Sequence, residues 1–281
     1  MLQAADLQFG YEGSRVRAPV LRGVSMLVPD GGFVGILGPN GSGKTTLLRT
    51  LAGALRPASG RVVLDGVNLA RIPRALLARR MAVVPQETQL AFDYSVLEIV
   101  LMGRYPHLGP FQIEGPSDFA IARKSLAATG TSSLEDRVFA TLSGGEKQRV
   151  ILAAALAQVS SAGGPGEASG PGAGFLLLDE PTAALDLAYQ LELAALLRDL
   201  QERLPIAIVI STHDLNFAAG LCRSLVLLRD GAVLAAGPTE DVLTADRVRA
   251  LYGVEAEVTR HHTTGRLLVV PIRRAAAGAG V

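Results

Sequence analysis

The sequence predicts an α/β fold in which a parallel sheet is covered by helices on both faces. Apolar runs of strand length recur at residues 33–37, 175–178 and 206–210. Segments with helical spacing separate them, and this alternation of strand and helix builds parallel sheets. The chain has 281 residues, which is enough for one sizeable core and a smaller subdomain.

The first apolar run ends in a glycine-rich turn, as a buried parallel strand before a ligand-binding loop does. A helix is predicted over residues 45–52, ended by Gly53. The turn itself is a phosphate-binding loop of eight residues: Gly38, Pro39, Asn40, Gly41, Ser42, Gly43, Lys44 and Thr45. Its glycines let backbone N–H groups point at phosphate oxygens, and the helix adds its positive end. Lys44 can reach the β- and γ-phosphates, and the Thr45 hydroxyl can bind Mg²⁺.

The middle of the chain changes from strand-like to helical patterning. Strands are predicted at residues 62–66 and 81–84, and helical spacing runs from about residue 95 to 157. We interpret residues 88–158 as a helical subdomain inserted into the core. Residues 160–174 are dominated by Gly, Pro and Ser, a composition that cannot bury enough apolar surface to order itself. A flexible surface loop is therefore expected there, and a disordered tail over residues 272–281.

Two adjacent acids follow the second apolar run, and a helix is predicted after them over residues 185–200. Asp179 ends the strand, so its carboxylate is expected at the carboxyl edge of the sheet, where nucleotides bind and Mg²⁺ can be held. Glu180 is placed to polarise the water that attacks the γ-phosphate. The alternative is that both acids simply precede a helix start at Pro181. A phosphate-binding loop earlier in the chain favours the catalytic interpretation.

Composition excludes several classes of protein. The formal net charge is +1, whereas nucleic-acid-binding domains usually carry a strong basic excess. The single cysteine, Cys222, excludes an internal disulfide framework. The longest apolar run, at residues 150–157, is far below the roughly 18–20 residues that cross a bilayer. We expect no membrane span and no secretion signal of the chain's own.

A second glycine-rich loop lies far downstream of the first. It consists of Leu142, Ser143, Gly144, Gly145 and Glu146. Ser143 can cap the helix that begins here, and a helix start attracts anions. Together with the phosphate-binding loop and the two acids, this stretch resembles the signature motif of the nucleotide-binding subunits of ATP-binding-cassette (ABC) transporters. The resemblance covers residues 2–271 and implies a RecA-like P-loop NTPase core with an antiparallel β-subdomain and an inserted α-helical subdomain.

The resemblance also implies roles for particular residues on each side of an ATP molecule. Ser143, Gly144 and Gly145 would contact the γ-phosphate held by a second copy of the chain. The family's final signature residue is usually Gln, so Glu146 is a departure. Asp186 matches the D-loop, where Ala183 stands at a position that is frequently serine.

Three further positions match the family's catalytic and base-binding residues. Gln86 matches the Q-loop glutamine, which contacts Mg²⁺ and water and senses the membrane partner. His213 matches the switch histidine, which holds the γ-phosphate and positions Glu180. Tyr11 stands where the family places an aromatic ring against adenine, with Phe9 as a near alternative. Thr46 completes the expected ATP-binding set.

Residues 91–107, 185–190 and 251–254 resemble the ATPases of importers for ferric siderophores, haem and cobalamin. This implies a homodimer that hydrolyses ATP with Mg²⁺ on the cytoplasmic face of the plasma membrane. Its partners would be two permease subunits and, indirectly, a substrate-binding protein, with no nucleic acid. The alternative is a soluble ABC ATPase acting on ribosomes or DNA. Ribosome-acting members usually carry two cassettes and DNA-repair members a long coiled coil, whereas this sequence has one cassette and a short helical stretch.

Overall fold

The structure is a computed structural model that describes residues 1–11, 19–88, 92–161, 164–168, 174–183 and 185–275. The strands are β1 (Leu2–Phe9), β2 (Leu21–Val28), β3 (Phe33–Leu37), β4 (Ser59–Leu64), β5 (Val67–Asn68), β6 (Met81–Val84), β7 (Ser160–Ser161), β8 (Gly164–Ala168), β9 (Gly174–Asp179), β10 (Ile206–Thr212), β11 (Ser224–Arg229), β12 (Ala232–Pro238), β13 (Val254–Arg260) and β14 (Leu267–Arg274). The α-helices are α1 (Lys44–Leu51), α2 (Arg74–Ala78), α3 (Val96–Met102), α4 (Pro116–Ala128), α5 (Gly144–Val159), α6 (Leu187–Arg203), α7 (Leu215–Leu221), α8 (Thr239–Val242) and α9 (Ala245–Tyr252).

A six-stranded sheet forms the centre of the molecule, in the order β12-β11-β3-β10-β9-β6. All of its strands are parallel except β12, which pairs antiparallel with β11 at one edge. Every residue of β3, β9 and β10 is buried, because both faces of these strands are covered. Their carboxyl ends lie at one edge of the sheet, where the phosphate-binding loop and the two acids begin.

The two faces of this sheet belong to two hydrophobic cores. Phe33 and Leu37 of β3 pack with the layer that contains α6 and α7. Val34 and Ile36 pack with α1 and a second, antiparallel sheet, whose strand order is β2-β1-β4-β5. Alternating burial along β1 and β2 is the pattern of strands with one face on a core.

A third core lies among α3, α4 and α5 and makes a separate helical layer. Helix α5 joins this layer to the main core, because Leu152 and Leu156 pack with the central sheet while Val150 and Ala153 pack among the helices. In the part of the chain that the structure describes, no helix combines the length and the apolar character needed to span a bilayer.

The predicted α/β class, with an antiparallel β-subdomain and a helical subdomain, is confirmed. Two segments differ from expectation. Residues 160–161 and 164–168 of the expected loop pair as antiparallel strands β7 and β8, which gives their backbone groups partners, while residues 162–163 and 169–173 lie outside the described residues. The disordered tail was expected from residue 272, but β14 continues to Arg274 and pairs there with β13. Residues 276–281 lie outside the described residues.

Candidate nucleotide-binding site

The phosphate-binding loop connects β3 to α1, and its glycines are required by geometry. Gly41 and Gly43 have φ of 79° and 102°, in the left-handed region that glycine enters without steric cost. At Gly38 a β-carbon would lie 2.3 Å from the carbonyl oxygen of Leu228. The backbone therefore curls tightly at the start of α1, which is the arrangement that directs N–H groups at an anion. Ser42 is buried and its hydroxyl has no hydrogen-bond partner among the described residues.

Lys44 lies inside this loop and is only 5% exposed. Its Nζ donates to the carbonyl oxygens of Gly38 at 2.9 Å and Pro39 at 3.2 Å. It also forms an ion pair with Glu180, at 3.1 Å from Oε1. A buried ammonium is costly unless it is paired and hydrogen-bonded, and these three oxygens satisfy it. The predicted phosphate-binding lysine and the predicted catalytic acid are thus direct neighbours.

The Asp179 carboxylate accepts hydrogen bonds from hydroxyl groups on two other elements. Thr45 Oγ1 donates to Asp179 Oδ1 at 3.1 Å, and Ser211 Oγ donates to the same oxygen at 2.6 Å. The parallel register of β9 and β10 pairs Ser211 directly with Asp179. Ser211 was not among the predicted site residues, although a serine directly after the apolar run 206–210 is a signal that could have revealed it. The oxygen atoms assembled here are of the type that Mg²⁺ prefers.

The Glu180 carboxylate has different partners from that of Asp179. The φ of Glu180 is 44°, in a region that non-glycine residues rarely adopt. The Glu180 N–H donates to the carbonyl oxygen and to Oγ of Ser211, at 3.0 and 3.2 Å, and these bonds hold the turn. As a result, Oε1 faces Lys44 while Oε2 lies 3.1 Å from Nδ1 of His213. Both acids are largely buried, so the interpretation as surface acids at a helix start is wrong; α6 begins only at Leu187.

His213 follows β10 directly, and its side chain is 55% exposed. An ionised carboxylate can only accept a hydrogen bond, so the imidazole donates through Nδ1 to Oε2 of Glu180. The histidine therefore holds the carboxylate from the side opposite Lys44.

A cleft of about 390 Å³ opens over the phosphate-binding loop. It is lined by Val20, Asn40, Gly41, Gly43, Lys44, Thr45, Thr46, Gln86 and Glu180. A neighbouring cleft of about 430 Å³ is lined by Gln86 together with Thr45 and Asp179, among others. Gln86 follows β6 and borders both clefts, so the structure brings it beside the predicted metal-binding residues.

Tyr11 reaches the same region from the antiparallel sheet. Its hydroxyl lies 3.3 Å from Oγ1 of Thr46, and its ring packs edge-on against Phe9 at 4.9 Å. Phe9 is a core residue, 8% exposed, whereas Tyr11 is 48% exposed. Of the two aromatic candidates, Tyr11 is the one that offers an open ring beside the loop.

The second glycine-rich loop starts α5, and Ser143 is the N-cap of that helix, as predicted. Ser143 Oγ accepts from the Glu146 N–H at 3.3 Å, and the Glu146 carboxylate accepts from the Ser143 N–H at 2.8 Å. This reciprocal capping box satisfies two backbone donors at the helix start. The hydrogen bond from the Ser143 backbone also lowers the pKa of Glu146. The unusual acid is therefore turned back onto its own helix.

Gly145 and Asp186 connect this loop to α6. A β-carbon at Gly145 would lie 2.3 Å from the ring of Tyr189, so only glycine fits between the two helices. Asp186 caps α6 by accepting from the Tyr189 N–H at 3.0 Å. Ala184 lies outside the described residues. Among the described residues that line the clefts over the phosphate-binding loop, none comes from residues 142–146. The two predicted halves of an ATP site are thus separate within one chain.

A family model described as ABC transporter matches residues 21–162. A hemin import ATP-binding protein of Bordetella pertussis is 43% identical over 272 residues, covering 96% of this chain and 98% of the relative. A ferric enterobactin transport ATP-binding protein of Escherichia coli is 35% identical over 275 residues, covering 98% of this chain and 95% of the relative.

Solved structures give the same picture. A metal-chelate type ABC transporter in an inward-facing conformation superposes with a TM-score of 0.80 at 29% identity, over 96% of each chain. A dimeric bacterial ABC transporter cassette superposes with a TM-score of 0.68 at 26% identity, over 85% of this chain and 99% of that one. The chain is therefore similar in sequence to the ATP-binding subunits of transporters and similar in fold to ABC transporter structures.

Proposed function

The chain belongs to the ABC transporter family as an ATP-binding ATPase subunit, and we propose that it powers import of haem, a ferric siderophore or cobalamin through a partner permease. The observation that carries the ATPase mechanism is the position of Glu180 between Lys44 and His213, beside Asp179. The observation that carries the cargo class is full-length similarity to relatives named for hemin import and for ferric enterobactin transport.

Each residue of the cleft has a defined task in this proposal. Lys44 and the backbone N–H groups of the loop hold the β- and γ-phosphates of ATP. Glu180 accepts a proton from the attacking water, and His213 keeps the carboxylate oriented toward that water. Tyr11 stacks on the adenine ring, and Thr46 lies beside it.

Mg²⁺ fits the oxygen atoms present. Thr45 and Asp179 meet within 3.1 Å, Gln86 borders the same cleft, and these residues would hold the ion. When bound, Mg²⁺ neutralises charge on the phosphate oxygens and so favours attack by water. The chain's own residues supply the proton acceptor and the orientation.

The signature loop acts on a second copy of the chain. The N-terminal groups of helix α5, at Ser143, Gly144 and Gly145, suit an anion. The phosphate-binding cleft of the same chain, however, is lined by other residues. A head-to-tail homodimer would place this helix start over the γ-phosphate held by the partner, with Asp186 near the contact. The solved structure of a dimeric cassette of the same fold supports dimerisation.

Coupling to transport requires contact with membrane subunits. We infer that residues 1–271 form one ABC ATPase domain whose helical subdomain, about residues 88–158, contacts two permease subunits on the cytoplasmic face of the plasma membrane. A substrate-binding protein on the other side would supply the cargo. Closure of the dimer on ATP and its opening after hydrolysis would switch the permease between access states.

The decisive experiment measures ATP hydrolysis by this chain assembled with its permease in lipid. The binding protein is added empty or loaded with haem, cobalamin or a ferric siderophore. Stimulation by one loaded form is expected and identifies the cargo. Equal rates with every form would refute import of this cargo class while leaving the ATPase assignment intact.

A further inference from the structure

The C-terminal segment from α9 to β14 contacts the loop that carries His213. Tyr252 is the last residue of α9, and Gly253 ends the helix with a left-handed φ of 66°. The Tyr252 hydroxyl donates to the carbonyl oxygen of His213 at 3.3 Å. Burial raises the pKa of Tyr252, and the nearby carboxylates of Asp214 and Glu180 raise it further. This tyrosine therefore stays protonated, as a donor must, and lies close to the catalytic acid.

A second contact ties the same region to the C-terminal strands. Asn216, three residues after His213, donates through Nδ2 to the carbonyl oxygen of Val269 at 3.1 Å. Its Oδ1 accepts from the Val269 N–H at 2.8 Å. The amide thus pairs with β14 in the manner of one rung of a sheet, and Val269 is buried in the main core. The start of α7 is fixed from two sides by residues that come after it in the chain.

These contacts matter because the His213 ring is half exposed. In the region that the structure describes, its only hydrogen-bond partner through the ring is Glu180. The position of the ring therefore depends on the backbone that carries it. Tyr252 holds that backbone at the residue itself, so a small shift there changes the distance between Nδ1 and the carboxylate.

We propose that Tyr252 is a positioning residue for ATP hydrolysis, which holds the His213 backbone so that the imidazole reaches Glu180. The proposal rests on the proposed ATPase mechanism and extends it to the C-terminal segment. The Tyr252 hydroxyl also lies within reach of the Gly38 backbone at the start of the phosphate-binding loop. It acts through His213, and Asn216 braces the same loop against β14.

The first test is Tyr252→Phe in the full-length chain, which removes the hydroxyl and keeps the ring. We expect kcat for ATP hydrolysis to fall about three- to tenfold, the effect of one net hydrogen bond. The melting temperature should stay unchanged because the ring still packs, and KM for ATP should stay unchanged if the hydroxyl acts through His213; a raised KM would show that it acts through Gly38 of the phosphate-binding loop instead. Thr259→Val, which removes a hydroxyl from an exposed residue of the same C-terminal segment, is the control and should leave kcat unchanged.

A double-mutant cycle separates positioning from a general structural role. In a His213→Ala background there is no imidazole left for Tyr252 to position. Adding Tyr252→Phe should therefore lower kcat no further. An equal loss in both backgrounds, an effect on KM alone, or a lower melting temperature with unchanged kcat would each overturn the proposal. Asn216→Ala, which removes both hydrogen bonds to Val269 without adding a charge, should show the same dependence on His213. An inactive wild-type chain would instead refute the proposed function itself.

Discussion

The two glycine-rich loops of this molecule differ in how they are held. Around the phosphate-binding loop, side chains from separate elements bond to one another: Lys44 with Glu180, Thr45 with Asp179, and Glu180 with His213. Around the signature loop, Ser143 and Glu146 bond to each other within one turn of helix. The first loop belongs to a network that crosses the sheet, whereas the second is held by residues nearby in sequence, including Arg137, which lies 3.6 Å from Glu146.

This difference distinguishes the half of the proposed site that one chain supplies around the phosphate-binding loop from the half that needs a second copy of the chain. The network at the first loop contains, within one chain, the lysine proposed to bind phosphate, the oxygen atoms proposed to hold a metal and the proposed proton acceptor. The capped helix start at the second loop contributes no residue to the described lining of that cleft. The N-terminus of α5 suits an anion, but in the proposed head-to-tail dimer that anion is the phosphate bound by the other copy of the chain. Substitutions at the two loops should therefore impair catalysis and dimer assembly separately.

The largest expected effect comes from Glu180→Gln, which breaks catalysis on the first side. Glutamine keeps the size of the side chain but cannot accept the proton of the attacking water. ATP turnover should fall about 10²- to 10⁴-fold, while binding through Lys44 and the loop remains. The variant should accumulate as an ATP-bound dimer, seen by light scattering in saturating ATP and Mg²⁺.

Glu202→Gln provides the control for this experiment, because Glu202 is an exposed acid near the far end of α6. It should match the wild-type chain in both turnover and oligomeric state. A Glu180→Gln chain that stays monomeric under the same conditions would show that the composite-site mechanism is wrong, even if its turnover is lost.

A smaller effect is expected from Gly145→Ala, which disturbs the signature side. Alanine normally favours a helix over glycine, but here its β-carbon would lie 2.3 Å from the Tyr189 ring. Overpacking should lower the free energy of unfolding by about 1–3 kcal/mol. Displacement of Ser143 should slow ATP turnover up to about 100-fold. Urea denaturation and turnover assays measure the two effects.

Two companion variants test this cause. Gly220→Ala also places alanine in a helix, but its nearest neighbour is an Arg266 nitrogen at 3.9 Å, so stability should not fall. Removing the obstructing ring in Gly145→Ala/Tyr189→Ala should restore much of the turnover. If the double variant is as slow as Gly145→Ala alone, the contact with Tyr189 does not explain the glycine.

The contrast between the loops also explains what the sequence could predict. Strands that are covered on both faces are apolar along their whole length. Runs such as residues 33–37 and 206–210 therefore predict buried strands, and the parallel sheet follows from them. The sequence also places Asp179, Glu180 and His213 at strand ends, so their meeting at one edge was predictable. The bond from Ser211 to Asp179 was not, since it depends on the register between two strands that are distant in sequence.

The C-terminal segment was the least predictable part of the molecule. Strands β13 and β14 are short of buried residues, with few positions such as Ala256 and Val269 in the core, so their hydrophobic pattern is weak. Their pairing, and the hydrogen bond from Tyr252 to His213, arise only when α9 packs against the rest of the fold. Tertiary contacts of this kind leave little trace in local sequence.

The smallest expected effect concerns the residue where the signature loop departs from its family. Glu146→Gln restores the usual glutamine, which can still accept from Ser143, but it removes a negative charge from a helix start. At pH 7 the free energy of unfolding should fall by roughly 0.3–1 kcal/mol. ATP turnover should change little, because the carboxylate is directed at its own helix.

The pH dependence of this difference tests whether the capping box is its cause. The pKa of Glu146 is lowered in the folded chain by the Ser143 N–H, so its charge stabilises the fold above the unfolded-state pKa of about 4.3. That contribution is lost as pH falls through the folded-state pKa, and the two unfolding curves should then converge. Glu98→Gln is the matched control, since Glu98 forms the same capping box with Ser95 and has its pKa lowered in the same way. Its stability should follow the same pH dependence with unchanged turnover. If only Glu146→Gln slows ATP turnover, the acid at the signature loop acts on the nucleotide held by the partner copy as well as on its own helix.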